Sequence, residues 1–410
     1  MTSVTTQTTL SYFELEELYG AHNYHPLPVV LSRGQGVHVW DVDGKKYYDF
    51  LSGYSALNQG HCHPKIIDRL IQQAQKLTLT SRAFHNDQLG EYVQFVTRYF
   101  GFDKVLPMNT GVEAVETAIK LGRRWGYDVK GIPENKARII VFENNFHGRT
   151  STVISFSSDP SAYTGFGPFG PGFDLIPYND LEALNKALQN QDVAAILMEP
   201  IQGEAGVVVP DEGYLAKASA MAKEANVLFI ADEIQTGLGR TGKLLACDHE
   251  NVRPDILILG KALSGGALPV SAVLADDEVM LTIKPGEHGS TYGGNPLACA
   301  VSITALSVLK DEKMTENAAI MGEYFRNGIK KINSPFIQTV RGKGLLNAVV
   351  IHQSAPEAAW DLCVELKEHG LLAKPTHGNK IRFAPPLTIT QAQLDECLEM
   401  IEESLAILHE

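Results

Sequence analysis

The stretch PDILILGKALSGG, Pro254 to Gly266, decides how this chain is read. Ile256 to Leu259 form a short unbroken apolar run, the mark of a strand buried on both faces, and Gly260 and Lys261 follow directly. No Asp or Glu lies within five residues of Lys261, and its neighbours are small or apolar. A buried amine without a partner is costly to keep charged, so burial drives its pKa down. The expectation is a neutral, nucleophilic amine at the end of a strand.

Four earlier runs repeat the pattern: Val105 to Met108, Arg138 to Phe142, Val193 to Met198 and Val227 to Ala231. Each leads into a polar or Gly-bearing loop, and segments with helical apolar spacing lie between them, as in Ala114, Val115, Ala118, Ile119 and Gly122. Alternation of this kind predicts an α/β fold with a mostly parallel central sheet flanked by helices. The loops after the five runs carry Thr110-Gly111-Val112, Phe146-His147 with Arg149, Glu204, Asp232 with Gln235, and Lys261. Parallel sheets bind ligands beyond the carboxyl ends of their strands, so five loops deliver their polar groups to one edge.

Outside this core, residues 1–20 read as a polar, Thr-rich, mobile lead, and Val37 to Phe50 as a hairpin turning at Asp43-Gly44. Beyond about residue 300 long amphipathic segments precede VRGKGLLNAVVI and KIRFAPPLTI, the pattern of a smaller α+β domain packed with the hairpin. The expected division is 1–60 for the N-terminal segment, 61–308 for the large domain and 309–410 for the small one. At 410 residues the chain is long enough for more than one core.

A net charge of -13 argues against nucleic acid or an anionic membrane surface as partner, and no apolar stretch has the roughly 18 residues needed to span a bilayer. Five scattered cysteines without a CxxC pair fit a reduced intracellular protein. The first Lys or Arg is Arg33, behind Glu14, Glu16 and Glu17, which is unlike a mitochondrial presequence; a cytoplasmic location is the expectation.

Several motifs fail in context. Gly237 to Gly242 spells GxGxxG but is followed by no clean helix and no acid about twenty residues on, so it reads as a flexible loop. A P-loop ending at Gly260-Lys261 would need Gly at 255 and Ser or Thr at 262, where Asp255 and Ala262 stand. His61-Cys62-His63 before Pro64 reads as a turn into a helix, one ring capping backbone groups, and no metal site is expected.

The remaining groups form one chemical set. Thr110-Gly111-Val112 opens a helix running to Lys120, and backbone N–H groups there favour an anion. GSTYGGNP, with Ser290 and Thr291, adds hydroxyls for a phosphate. Asp232 ends a strand, where a half-buried carboxylate caps the next loop or faces a ring nitrogen. An amine poised to form a Schiff base, a carboxylate for a pyridinium and a phosphate cup together point to pyridoxal phosphate.

LFIADEIQTGLGRTGKLLACDHENVRPDILILGKALSGG resembles the cofactor-attachment region of the class III, fold-type I aminotransferases. MNTGVEAVETAIKLGRRWGY, NNFHGRT, EPIQGEAGVVVP and HGSTYGGNPL extend the likeness along nearly the whole chain. The resemblance implies that Lys261 attaches the cofactor and then shuttles protons, with Asp232 on the ring nitrogen and Gln235 on the phenolic oxygen. Gly111 and Val112 are implied as phosphate contacts and Phe146 as the stacking partner. Ser290 and Thr291 are implied to reach the neighbouring subunit's phosphate, hence a homodimer with shared sites. It further implies transfer of the δ-amino group of L-ornithine to 2-oxoglutarate. Arg149 and Tyr24 would hold the α-amino-acid end, and Arg382 the 2-oxoglutarate carboxylate nearest the cofactor. Glu204 would neutralise Arg382 while ornithine reacts, and Tyr54 would narrow the pocket. His147 receives no firm role. Acetylornithine and 4-aminobutyrate are the alternative amines, and a non-catalytic binding or scaffold module is the alternative from another class.

Overall fold

The computed structural model describes residues 9–352 and 357–407. Residues 1–8 of the lead expected to be mobile lie outside that range, and Thr9–Tyr19 forms a helix instead. The hairpin is present: β1 (Leu31–Gln35), β2 (His38–Asp41) and β3 (Lys46–Asp49) pair antiparallel in sequence order. Asp41 makes the turn rigid, its carboxylate accepting from the N–H groups of Asp43 and Lys45.

The large sheet holds β4 (Lys104–Met108), β5 (Arg138–Phe142), β6 (Phe173–Ile176), β7 (Val193–Met198), β8 (Leu228–Asp232), β9 (Ile256–Leu259) and β10 (Ser271–Ala275). Their order is β4-β10-β9-β8-β7-β5-β6, parallel except at β10, which is antiparallel to both neighbours. Two reversals restore direction, so β4 points the same way as β9. The loops after β4, β5, β7, β8 and β9 therefore open at one edge, as the sequence predicts. Every residue of β7, β8, β9 and β10 is buried, which is why the first three read as apolar runs in the sequence.

The small sheet comprises β11 (Ile337–Lys343), β12 (Leu346–Ile351), β14 (Lys374–Thr376) and β15 (Lys380–Phe383), in the order β11-β12-β15-β14. β13 (Leu371–Leu372) leaves the small domain and adds in parallel to β3, joining the hairpin to it as expected. One apolar core runs from Phe50 through Leu259 and Leu306 to Phe325, Phe383 and Leu394.

Three local expectations change. The helix starting at Gly111 continues to Asp128, because Leu121, Gly122 and Trp125 are also buried against the sheet. The Gly237–Gly242 loop is packed in the interior, and Arg240 within it is 0% exposed. Its guanidinium donates to Asn58 Oδ1 at 2.6 Å and to the Leu345 and Pro385 carbonyls, so buried acceptors fix it. Neither ring of the His61–His63 pair caps backbone: His61 bonds Asp49 at 2.7 Å and His63 bonds Glu312 at 3.2 Å. Among the described residues no cluster able to hold a metal occurs, and no helix is long and apolar enough to cross a membrane.

Candidate active site

A cavity of about 200 Å³ lies at the carboxyl edge of the large sheet, lined by Gly111, Val112, Phe146, His147, Glu199, Glu204, Asp232, Ile234, Gln235 and Lys261 among others. An outer hollow of about 330 Å³ shares Phe146 and Glu204 with it and adds Tyr54, Arg149, Lys374 and Arg382. Six of the residues expected to bind cofactor or to act in catalysis, Gly111, Val112, Phe146, Asp232, Gln235 and Lys261, meet in the inner cavity with Glu204, expected to act on the substrate side, though together they come from five separate loops.

Lys261 begins a short 3₁₀ turn straight after β9, at a φ of 43°. Its amine has no hydrogen bond among the described residues. Burial lowers its pKa to about 8, opposed by Glu204 and reinforced by Arg382. That is the downward shift that the apolar surroundings predict, which leaves the amine neutral above about pH 8.

Asp232 closes β8 and is buried. One carboxylate oxygen accepts from the Ile234 N–H at 3.1 Å, so the loop-capping reading is realised in part. The other pairs with His147 Nδ1 at 2.7 Å, a partner that sequence reasoning left without a role. Burial pulls the His147 imidazole down, but the hydrogen bond and charge of Asp232 outweigh it and raise its pKa overall. Each oxygen keeps lone-pair capacity for one further donor. Gly148, at a φ of 123°, lets the chain pass against Val112 and so turns His147 inward.

Glu199, two residues before Ile201, was also missed. Its carboxylate accepts from the N–H groups of Phe146 at 2.8 Å and Gly203 at 3.2 Å, binding the loops after β5 and β7 together. Burial raises its pKa to about 7, with His147 opposing and Asp232 adding. The signal for it was available, since Met198-Glu199 ends an apolar run as Ala231-Asp232 does.

Glu204 and Arg382 pair. Arg382 Nη1 donates to Glu204 Oε1 at 2.8 Å, and Arg382 is 1% exposed. Burial pushes Glu204 up, yet the Arg382 and Lys261 charges, with hydrogen bonds from Arg382 and Gln235, bring it down to about 2. Gln235 sits between them, donating to Glu204 at 3.1 Å and accepting from Arg382 at 3.4 Å. The Tyr54 ring stands 5.2 Å from the Arg382 guanidinium, and that of Phe146 lies 5.7 Å from Arg149.

Four expected residues lie off the cavity walls of this chain. Thr110 spends its hydroxyl on the Glu113 N–H as a helix cap. Ser290 accepts from Asn109 Nδ2 at 2.7 Å, and Thr291 is exposed. Tyr24 is 70% exposed, though close enough to raise the Tyr54 phenol pKa slightly, behind the larger effects of burial and Glu204.

The residues present fit pyridoxal phosphate. Lys261 offers a free amine, Asp232 a buried carboxylate, and Val112, Phe146 and Ile234 apolar walls for a flat ring. Gly111 and Val112 are the first two residues of an 18-residue helix, whose N–H groups the helix itself leaves unpaired for a phosphate. A side chain at Gly203 would push on the Gln235 amide, its Cβ 1.6 Å from Oε1, and Gln235 would have to shift.

The class-III aminotransferase family matches residues 19–405. The chain is 62% identical over 390 residues to "Ornithine aminotransferase, mitochondrial" of Drosophila melanogaster, covering 95% of this chain and 90% of that one. The ornithine aminotransferase structure from Toxoplasma gondii, described with partial occupancy of PLP at its active site, superposes with a TM-score of 0.97 at 50% identity, over 99% of this chain and 96% of that one. A structure described as acetylornithine aminotransferase from Elizabethkingia anophelis gives 0.90 at 59% identity, over 98% and 100%. The chain belongs to the class III aminotransferases, and its cofactor is pyridoxal phosphate.

Proposed function

We propose that this enzyme transfers the δ-amino group of L-ornithine to 2-oxoglutarate, giving L-glutamate 5-semialdehyde, which cyclises, and L-glutamate. The observation that carries the reading is the Glu204–Arg382 pair beside a free Lys261. Held at Lys261, pyridoxal phosphate supplies the carbonyl that accepts the amino group and a protonated ring that draws electrons from the substrate carbon. The chain does the rest. Asp232, held by His147, would meet the ring nitrogen and keep it protonated. Lys261, with a pKa near neutral, takes and returns the proton at the reacting carbon. Phe146, on the cavity wall, would cover one ring face.

Selection follows from charge. Ornithine brings an amine without a nearby carboxylate, so the inner cation must be hidden, and Glu204 occupies Arg382. The α-carboxylate then meets Arg149 in the outer hollow, with Tyr24 accepting from the α-ammonium. 2-Oxoglutarate brings a carboxylate next to its reacting carbon and displaces Glu204 from Arg382, whose fork grips it two-pronged. Tyr54 narrows the passage. Glu204→Ala tests this: the half-reaction with L-glutamate should speed up at least tenfold relative to that with L-ornithine. Parallel change in both half-reactions would sink the gate.

Acetylornithine is the second reading, favoured by the 59% identity to the Elizabethkingia structure. Acetylation removes the α-ammonium that Tyr24 would meet, so relative kcat/KM for the two amines separates the readings. Tyr54→Ile should also erode any preference over 4-aminobutyrate; an unchanged ratio removes Tyr54 as the selector.

The assembly proposed is a homodimer, with Ser290 and Thr291 serving the partner's phosphate; both lie beside the site without lining it. We divide the chain at 60/61 and 308/309, the second boundary falling within the last turn of helix Pro296–Asp311, ahead of helix Met314–Lys331. A cytoplasmic location agrees with five free thiols, which need a reducing compartment.

A further inference from the structure

β14 is three residues long and lies at the edge of the small sheet, with Lys374 in register with Arg382. Side chains two apart on a strand share a face. Here both donate to loops from distant parts of the chain: Thr376 Oγ1 to the Glu204 carbonyl at 2.8 Å, and Lys374 Nζ to the His25 carbonyl at 2.8 Å. The first contact anchors the gate loop. The second is odd, since a lysine lining the substrate hollow spends its donor on a backbone oxygen of the N-terminal segment.

His25 is held twice. Its ring also stacks on Trp360, with centroids 4.4 Å apart and planes within 8°. Trp360 stands in the first turn of helix Ala358–Glu368, away from the walls of either hollow. Tyr24, the preceding residue, makes no hydrogen bond among the described residues and is 70% exposed. Nothing in its own contacts fixes it, so the anchored neighbour decides where its phenol stands. Ordering a backbone residue costs conformational entropy that one exposed phenol contact does not offset, and an outside anchor supplies that order in advance.

We propose that Trp360 and Lys374 are positioning residues for substrate selection: by holding His25 from the small domain they place Tyr24 against the ammonium of the substrate's α-amino-acid end. The proposal rests on the ornithine reading above. It makes the small domain a reader of the distal end of the amine, through residues that never touch it in the case of Trp360.

The test uses the holoenzyme, with L-ornithine and 5-aminopentanoate as amine donors. The two share the reacting amine and the carboxylate, and differ by the α-ammonium. Trp360→Leu should lower kcat/KM for ornithine about fivefold, the value of one ordinary hydrogen bond, and do so through KM. The values for 5-aminopentanoate and 2-oxoglutarate should hold, and Trp360→Phe, which keeps a stacking face, should restore ornithine. Combined with Tyr24→Phe, Trp360→Leu should add no further loss, because it acts through that phenol. Equal losses with both amines, or additive losses in the double variant, would overturn the proposal. If Tyr24→Phe costs ornithine binding and Trp360→Leu does not, the anchoring role fails while the ornithine reading stands. If Tyr24→Phe itself changes nothing, the placement of Tyr24 in the substrate site fails, and the proposal with it.

Discussion

At Lys261 two effects compete, burial against the nearby Glu204 charge, and burial wins, leaving a pKa of about 8. A base with a lowered pKa is neutral above that value and protonated below it. Capture of pyridoxal phosphate by cofactor-free protein should therefore speed up with pH and level off above about 8, where an ordinary lysine would keep gaining toward about 10.4. Stopped-flow absorbance across pH 6 to 10 reads this directly, and a midpoint near 10 would mean that burial does not set the reactivity. Beside it, His147→Phe strips one donor from the buried Asp232 carboxylate. Hydrogen bonds to charged groups are worth about 1.5–3 kcal/mol, so cofactor affinity should fall about 10- to 100-fold by equilibrium dialysis. Lys261 and Asp232 were legible because each follows directly on an apolar run, which fixes depth and side, whereas Arg382 came only from the resemblance. His147 was not, because its inward direction depends on the positive φ of Gly148 and on packing against Val112, neither of which leaves a local signature.

Elements show the same division between local and tertiary information. β4, β5, β7, β8 and β9 were readable as apolar runs of strand length. β6 and β10 escaped: Phe173–Ile176 carries a charge in a four-residue strand, and Ser271–Ala275 is built from small residues after a proline. Both are strands because their neighbours offer pairing, an override of local preference. Helix Met314–Lys331 shows how decisive close approach can be. A Cβ at Gly322 would stand 1.7 Å from the Gly344 carbonyl oxygen. Helix propensity favours alanine over glycine by about 1 kcal/mol, but overpacking against backbone costs typically about 1–3 kcal/mol or more. Gly322→Ala should therefore be less stable, with a lower urea midpoint; a midpoint equal to or above that of the parent protein would show that the helix shifts freely.

Across the whole molecule, Arg240 ties the parts together. It reaches Asn58 beside the hairpin, and Leu345 and Pro385 in the small domain, from a loop of the large one. Replacing it with Met leaves several buried acceptors unpaired at about 1–3 kcal/mol each, so calorimetry should show a markedly lower Tm; an unchanged Tm would mean that water takes over those bonds. The loop expected to be flexible is thus one of the most fixed parts of the fold, and its GxGxxG glycines serve packing. Gly242, for instance, faces Ala319 with a φ of 86°.

δ-Transamination at Lys261 is read directly in absorbance spectra of the purified holoenzyme. L-Ornithine alone should remove the visible cofactor band and raise one in the near ultraviolet, and 2-oxoglutarate should then restore the first. A visible band that persists in L-ornithine but disappears in acetylornithine or 4-aminobutyrate would contradict the account.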